Sequence, residues 1–254
     1  MAHPAVAVLE YHLVGYRRVW RGSVFSSFVL PLLFFLGMGV MVGEYVDRGG
    51  SLDLPYLDFI APGLLAFSAL QIGMAEASYP VMSALKWHKT FYAIAAAPPR
   101  VADIVAGQLA FIGLRTLIAS TVFLAVMAAF GAAHGWWALA AVPVAVLVGL
   151  AAAAPVAAYT ASVETDSMLA LLFRLVQLPM MLLAGVFFPV DQLPEVLRPL
   201  AYAVPLWHGV ELCRAATVGA APPWPVALHL AYLALWLVAG WYLARARFSK
   251  RLAV

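Results

Sequence analysis

The residues able to do chemistry in this chain are few, and most stand in apolar surroundings. Gln71, Glu76, Gln108, Arg115, Arg174 and Gln177 all fall within long apolar runs. A charge at the centre of a bilayer costs about 2.5–3.5 kcal/mol on insertion scales, so such residues face protein, face a water-filled cavity or reach for the interface. Arg174 stands close to the start of its run and can snorkel. Arg115 is deeper and needs a counter-charge, which Glu76 or a loop acid can supply. Gln71, Glu76, Arg115 and Gln177 are therefore candidates to line a path across a membrane, and Gln108 is a further polar residue of the same kind. A purely structural Arg115 ion pair is one alternative. An ion site at Glu76 in a gradient-driven transporter is another, although the internal repeats typical of such transporters are not evident.

Enzymatic chemistry finds no support. The six histidines form no metal-ligand spacing, and the lone Cys213 can close no internal disulfide. No phosphate loop of the form G-x-x-x-x-G-K-[ST] occurs, so any energy from ATP must arrive through another chain. No serine, aspartate and histidine constellation suggests hydrolysis. The expectation is a chain with no catalytic residue, no metal and no cofactor of its own.

The elements that must position these residues follow from composition. Of the 254 residues 65% are apolar and only 11% charged, against about half and a quarter in soluble domains. A soluble protein of this size cannot hide so much apolar surface, so the chain is an integral membrane protein. Hydropathy predicts six spans, over 23–43, 59–84, 104–130, 136–161, 168–188 and 225–244. Small residues Gly63, Ala66, Gly73 and Ala77 would let another helix approach the second span closely. Glu164 and Asp166 are placed to cap the fifth span. Tryptophans 136, 137, 207, 224 and 241 fit an interfacial belt.

Basic residues set the orientation. Arg17, Arg18 and Arg21, then Lys86, Lys89 and Arg100, then Arg245, Arg247, Lys250 and Arg251 fall on one side. The other side holds Arg48, Arg198 and Arg214 with the acids Glu44, Asp47, Asp53, Asp58, Asp191, Glu195 and Glu211. The positive-inside rule then puts both termini and the second loop in the cytoplasm. The net charge of +3 is too small to argue for nucleic acid. Before the first span, Val6, Leu9, Leu13, Tyr16 and Trp20 recur at helical spacing. Glu10, His12 and the arginines occupy other faces, which predicts an amphipathic interfacial helix over 1–22. A plain extension of the first span is the alternative.

Two segments are neither span nor ordinary loop. Over 85–107, Lys86, His88 and Lys89 lead into Thr90, Phe91 and Tyr92, and Pro98-Pro99 then stop any helix. A short cytoplasmic helix is expected, either docking a partner through its aromatics or merely joining two spans. Over 185–223 an outer stretch is proline-punctuated yet weakly polar, with short helices expected over 196–203 and 208–218. Backbone broken at membrane depth must be buried in protein.

Taken in this order, these segments resemble the ABC-2-type exporter permease family, in its nodulation lipo-oligosaccharide and daunorubicin-resistance branch. The resemblance rests on Ala61-Pro62-Gly63, on the stretch from Phe91 to Gly107, and on Gly185-Val186-Phe187-Phe188-Pro189-Val190-Asp191-Gln192-Leu193-Pro194. Pro205-Leu206-Trp207-His208-Gly209-Val210-Glu211 and Arg214 complete it, and nearly the whole chain is covered.

The resemblance implies an all-α integral membrane protein of the type V exporter kind: six transmembrane helices, an N-terminal elbow helix over 1–22 and a transmembrane domain over 23–254. Within that domain it implies a cytoplasmic coupling loop over 85–103 and an outer re-entrant helix pair over 189–223. It further implies a homodimer in a bacterial inner membrane, among membrane lipids, with two copies of a cytoplasmic ABC ATPase that carry the ATP and Mg. Lys86, His88, Lys89, Thr90, Phe91 and Tyr92 would form the ATPase-coupling region. Gly185, Phe187, Phe188 and Pro189 would belong to an outer gate. The cargo would be amphiphilic: a lipid-linked saccharide, a glycolipid or a hydrophobic drug. Many members of the family have an acid in the coupling region, where this chain has Lys86, His88 and Lys89.

Overall fold

A computed structural model describes residues 4–49 and 54–253, without the side chains of residues 19–21, 23–28, 30, 31, 34 and 40. Asp53 and the side chains of Trp20 and Arg21, named above, lie outside the described residues, as do residues 1–3 of the elbow segment. Among the described residues the regular structure is entirely helical. α1 starts as Pro4–Phe34 and runs on through a π-helical stretch, Phe35–Val42, into Gly43–Arg48. α2 is Tyr56–Ala77, continued after a break at Ser78 by Tyr79–Met82 and Ser83–Trp87. α3 is Thr90–Ala95, α4 Val101–Ala129, α5 Trp136–Ser162 and α6 Asp166–Leu183. α7 is Arg198–Ala203, α8 Pro205–Val218 and α9 Val226–Leu252.

Among the described residues five helices are long and apolar enough to cross a membrane: Tyr56–Trp87, α4, α5, α6 and α9. They match five of the six expected spans to within a few residues, except that α6 stops about five residues before its expected end and α9 runs eight residues past its own. The expected first span, 23–43, falls largely on side chains outside the described residues.

The N-terminal segment packs along α4. A Cβ on Gly107 would lie 2.6 Å from Val8. The His12 ring stacks on Phe111 at 5.2 Å, and Tyr16 lies beneath Arg115 at 5.0 Å. Each four-residue step on α1 thus meets a four-residue step on α4, so the two helices run side by side in the same direction. The segment expected to form the elbow helix is continuous with the helix that follows it, as one run over Pro4–Phe34. The physical reason is local: between Pro4 and Pro31 no proline interrupts the helix, and an isolated glycine such as Gly22 costs only about 1 kcal/mol. On its inward stripe Val8 is buried and His12 and Tyr16 are half-buried, whereas Val6 is 41% exposed.

α5 is the central post, packed against α2, α4, α8 and α9. Its alanines allow that crowding, with Ala145, Ala151, Ala153, Ala154 and Ala157 all buried. The closest approach joins α2 to α5, where a Cβ on Gly73 would stand 2.1 Å from the carbonyl oxygen of Gly149. The small-residue stripe of α2 is thus spent inside the chain, since Ala66 and Ala77 are also fully buried. Thr160 adds a bond across the same interface, its hydroxyl donating to the Ala77 carbonyl at 2.9 Å. Gly73→Ala is expected to cost about 3 kcal/mol or more, because the obstacle is backbone and no rotamer relieves it. Thermal unfolding in detergent checks this, and an unchanged transition would mean that the two helices stand further apart.

Candidate functional site

At the end of the molecule where the basic residues cluster, α3 is held from three sides. Lys89 adopts a left-handed backbone, φ 52°, just before the helix starts. Phe91 is fully buried against Phe248 of α9, ring centroids 5.7 Å apart, and lies 6.3 Å from His12. The Tyr92 hydroxyl donates to the Arg251 carbonyl at 3.0 Å. The aromatic pair expected to meet a partner therefore faces inward, because the C-terminal turns of α9 offer it an apolar seat. Lys86, Trp87, His88, Lys89 and Ala93 remain exposed, with Thr90 half-buried.

A clasp lies beside this surface. Glu164 pairs with both arms of Arg251, and Lys86 donates to the Glu164 carbonyl. Glu164 therefore caps no helix; Thr165 holds the N-cap position of α6 and Asp166 its first turn. The Arg251 guanidinium holds the Glu164 carboxyl below its ordinary value. A depressed carboxyl stabilises the fold above its unfolded value and loses that contribution as pH falls through the folded one. Glu164→Gln is accordingly expected to loosen the α9 C-terminus at neutral pH and to converge with the parent in acid. Amide exchange of 248–253 read at both pH values checks this; equal protection throughout would mean that the clasp carries no load.

Midway along the bundle, Arg115 forms a hydrogen-bonded ion pair with Glu76, and both are largely buried. Gln108 donates to the Glu76 carbonyl at 3.1 Å. The pair borders a cleft of about 620 Å³ whose lining includes Tyr11, His12, Tyr16 and Arg18 of α1. Of the expected path residues, Glu76 and Arg115 meet here. Gln71 is half-buried on α2 above them. Gln177 lies on α6 with its Oε1 buried and lacking a hydrogen-bond partner, while Arg174 is exposed.

The outer site is the most fully built. Gly185 sits at φ +73°, a conformation that glycine adopts without strain. A Cβ on Gly63 would stand 2.9 Å from the Val186 carbonyl oxygen, so the 185–189 turn rests directly on α2. Phe187 and Phe188 are half-buried against the core, and Pro189 opens a short turn, Val190–Gln192. Arg214 of α8 ties the parts together. Its guanidinium bonds Glu211 at 2.6 Å, the Gly185 carbonyl at 2.9 Å and the Phe59 carbonyl at 3.4 Å, and stacks on the Phe59 ring at 4.1 Å. The Tyr56 hydroxyl donates to the Phe187 carbonyl at 3.2 Å. Two stretches more than a hundred residues apart in sequence, 61–63 and 185–189, thus form one contact, which Arg214 closes.

α8 begins at Pro205 rather than at residue 208, since proline at the first helical position gives up a hydrogen bond that would be unmade anyway. Its His208 is buried. The Nε2–H donates to the Tyr202 carbonyl at 3.1 Å, which leaves Nδ1 to accept from His229 of α9 at 2.9 Å. Trp207, expected in the interfacial belt, is 1% exposed and packs against Tyr202 and Trp224. Sequence reasoning did not single out Arg214, Tyr56, Phe59 or His229 as a working set. The Glu211/Arg214 spacing, an acid three residues before a base in an otherwise apolar helix, was the available signal.

Residues 5–218 match the family described as "ABC-2 type transporter". The chain belongs to that family. Relatives align over nearly the whole chain: Nodulation protein J of Rhizobium leguminosarum bv. trifolii is 30% identical over 97% of this chain and 93% of its own. Nodulation protein J of Rhizobium meliloti (strain 1021) is 29% identical with the same coverage. That of Bradyrhizobium diazoefficiens is 27% identical over 99% of this chain and 95% of its own. As an ABC-2 protein the chain is an all-α, multi-pass membrane protein and the transmembrane subunit of an ABC exporter, a transport subunit rather than an enzyme.

Proposed function

We propose that two copies of this chain form the outward path for an amphiphilic cargo in a bacterial inner membrane. Two cytoplasmic ABC ATPase subunits, with their ATP and Mg, drive the movement, and both termini of each chain lie in the cytoplasm. The single observation that carries the reading is the basic, exposed platform around α3 mounted on an otherwise apolar bundle. Trp87 is 53% exposed there and flanked by Lys86, His88 and Lys89. Phe91 and Tyr92 anchor that platform to α9 and α1, so force applied to it reaches the spans directly.

Supporting the orientation, segments assigned to one side touch one another. Glu164, Lys86 and Arg251 cluster at one end, while His134 and Asp58 pair at 3.1 Å at the other. Supporting self-association, only 6% of the most apolar stretch of α6 is buried within the chain. The gradient-driven alternative requires Glu76 to exchange an ion, and its pairing with Arg115 opposes that. Amphiphilic cargo suits the apolar hollow of about 550 Å³ between α5, α8 and α9, lined by Trp137, Leu147, Leu212 and Leu230 among others.

A mild-detergent pull-down of the tagged chain from its native membranes, read by mass spectrometry, is expected to bring down a near-stoichiometric ATPase. Trp87→Ala is expected to weaken that association by at least about tenfold, the usual effect of an exposed tryptophan anchor. Phe91→Ala is expected to act through stability instead, lowering the unfolding temperature. A folded chain that retains no ATPase would overturn the reading.

A further inference from the structure

The cleft beside Glu76 and Arg115 combines charged with aromatic lining. Its volume of about 620 Å³ falls within the range of small-molecule sites. Its lining includes Tyr11, His12 and Tyr16 of α1 together with Phe111 of α4, on which the His12 ring stacks. The Arg115–Glu76 pair also lines the cleft and is neutral as a unit. Arg18 borders the cleft, is exposed, and has no acidic partner among the described residues, so it leaves the site net cationic. His12 contributes a buried Nε2 with no hydrogen-bond partner. Buried polar atoms of this kind are normally satisfied, and their exceptions call for an explanation. Phe111 and Arg115 lie about 15 and 21 Å along the axis from the start of α4, at 1.5 Å per residue. Charged residues at that position in a membrane helix usually face the bundle interior or a water-filled cavity and pair with one another, as Arg115 and Glu76 do beside this cleft.

We infer that this cleft holds the phosphate of an amphiphile: Arg18 takes the phosphoryl oxygens, and Tyr11, Tyr16 and His12 supply neutral hydrogen bonds. The apolar part leaves along the exposed face of α4, where Leu117 and Ile118 are 43% and 46% exposed. The site depends on the function proposed above only for the leaflet it faces, and its binding can be read on the isolated chain without any ATPase. Phosphate chemistry is shared by a lipid headgroup and by free inorganic phosphate, so the test separates them.

The experiment is native mass spectrometry of the purified chain in detergent, titrated with dioleoyl phosphatidic acid and, in parallel, with dioleoylglycerol, which has the same chains and no phosphate. One phosphatidic acid per chain is expected to be retained, and dioleoylglycerol is not. Arg18→Gln is expected to weaken retention by about tenfold, the loss of one charge-assisted contact, whereas Arg17→Gln, outside the cleft, changes it less than about twofold. Tyr16→Phe keeps the ring under Arg115 and is expected to give a smaller loss, so the site is tested even if an arginine variant folds poorly. Millimolar inorganic phosphate that fails to displace the lipid identifies a headgroup site; displacement identifies soluble phosphate as a ligand of the same groups. Equal losses in the two arginine variants, or retention of dioleoylglycerol as strong as that of phosphatidic acid, would overturn the inference. So would a folded parent chain that retains neither.

Discussion

Arg214→Met is expected to remove more stability than any other single change named above. The side chain is 7% exposed and serves four partners at once: Glu211, the carbonyls of Gly185 and Phe59, and the Phe59 ring. Methionine fills a similar volume but leaves the Glu211 carboxylate buried without its cation. Breaking one member of a buried pair costs about 3–5 kcal/mol, chiefly through the charge left behind. The Gly185 carbonyl would lose its partner as well, so the 185–189 turn should lift from α2. The outer seal and the global fold are then expected to fail together, seen as a lower unfolding temperature in detergent and a protease-sensitive 185–192 segment. Adding Glu211→Gln to Arg214→Met removes the orphaned charge and should recover part of the loss. If the double variant is no better than the single one, the carboxylate is not the source of the cost and the clamp acts through its carbonyl bonds alone.

The second large effect is expected at the other buried pair. Arg115→Met strands Glu76 between α2 and α4 at a cost of similar order, about 3–5 kcal/mol. Glu76→Gln leaves the Arg115 guanidinium without its counter-charge, but the amide oxygen still accepts from it and the cation borders the cleft, so a smaller loss is expected. The pair of substitutions also separates mechanisms. In an ATP-driven exporter Glu76→Gln should lower transport in proportion to its loss of stability and leave ATP hydrolysis coupled. In a gradient-driven transporter the same change removes the ion ligand and abolishes transport while the protein stays folded. Transport into inside-out vesicles, measured with and without an ion gradient, distinguishes the two. Complete loss of transport in a fully stable Glu76→Gln protein would return Glu76 to the role of an ion site.

Much of the architecture was legible in the order of residues alone. A span is decided by a run of apolar side chains, because lipid leaves the backbone no partner but itself, and that rule is local. Five expected spans therefore coincide with observed helices, and the proline punctuation falls just after the end of α3 and at the start of the 190–192 turn. The family resemblance was legible for the same reason: the 185–194 stretch is contiguous, and its glycine and prolines encode its turn.

What the sequence could not decide was which face of each element meets which neighbour. Phe91 looks like a docking aromatic until α9 supplies Phe248 to cover it. Gly73 looks like part of a dimer face until Gly149 arrives from α5. Trp207 looks interfacial until the Tyr202 and Trp224 rings enclose it. The N-terminal segment shows several apolar positions at helical spacing, and it is Phe111 and Gly107 of α4 that select its His12 and Val8 face for packing. Arg214 reads as one more outer cation until two distant loops bring carbonyls to it. Hydropathy and helix-breaking act on neighbours along the chain, so the sequence by itself determined the class, the spans and the turns. Burial, ion pairing and close packing act between residues far apart in the chain, and only the tertiary structure determined the clamp, the cleft and the exposed platform.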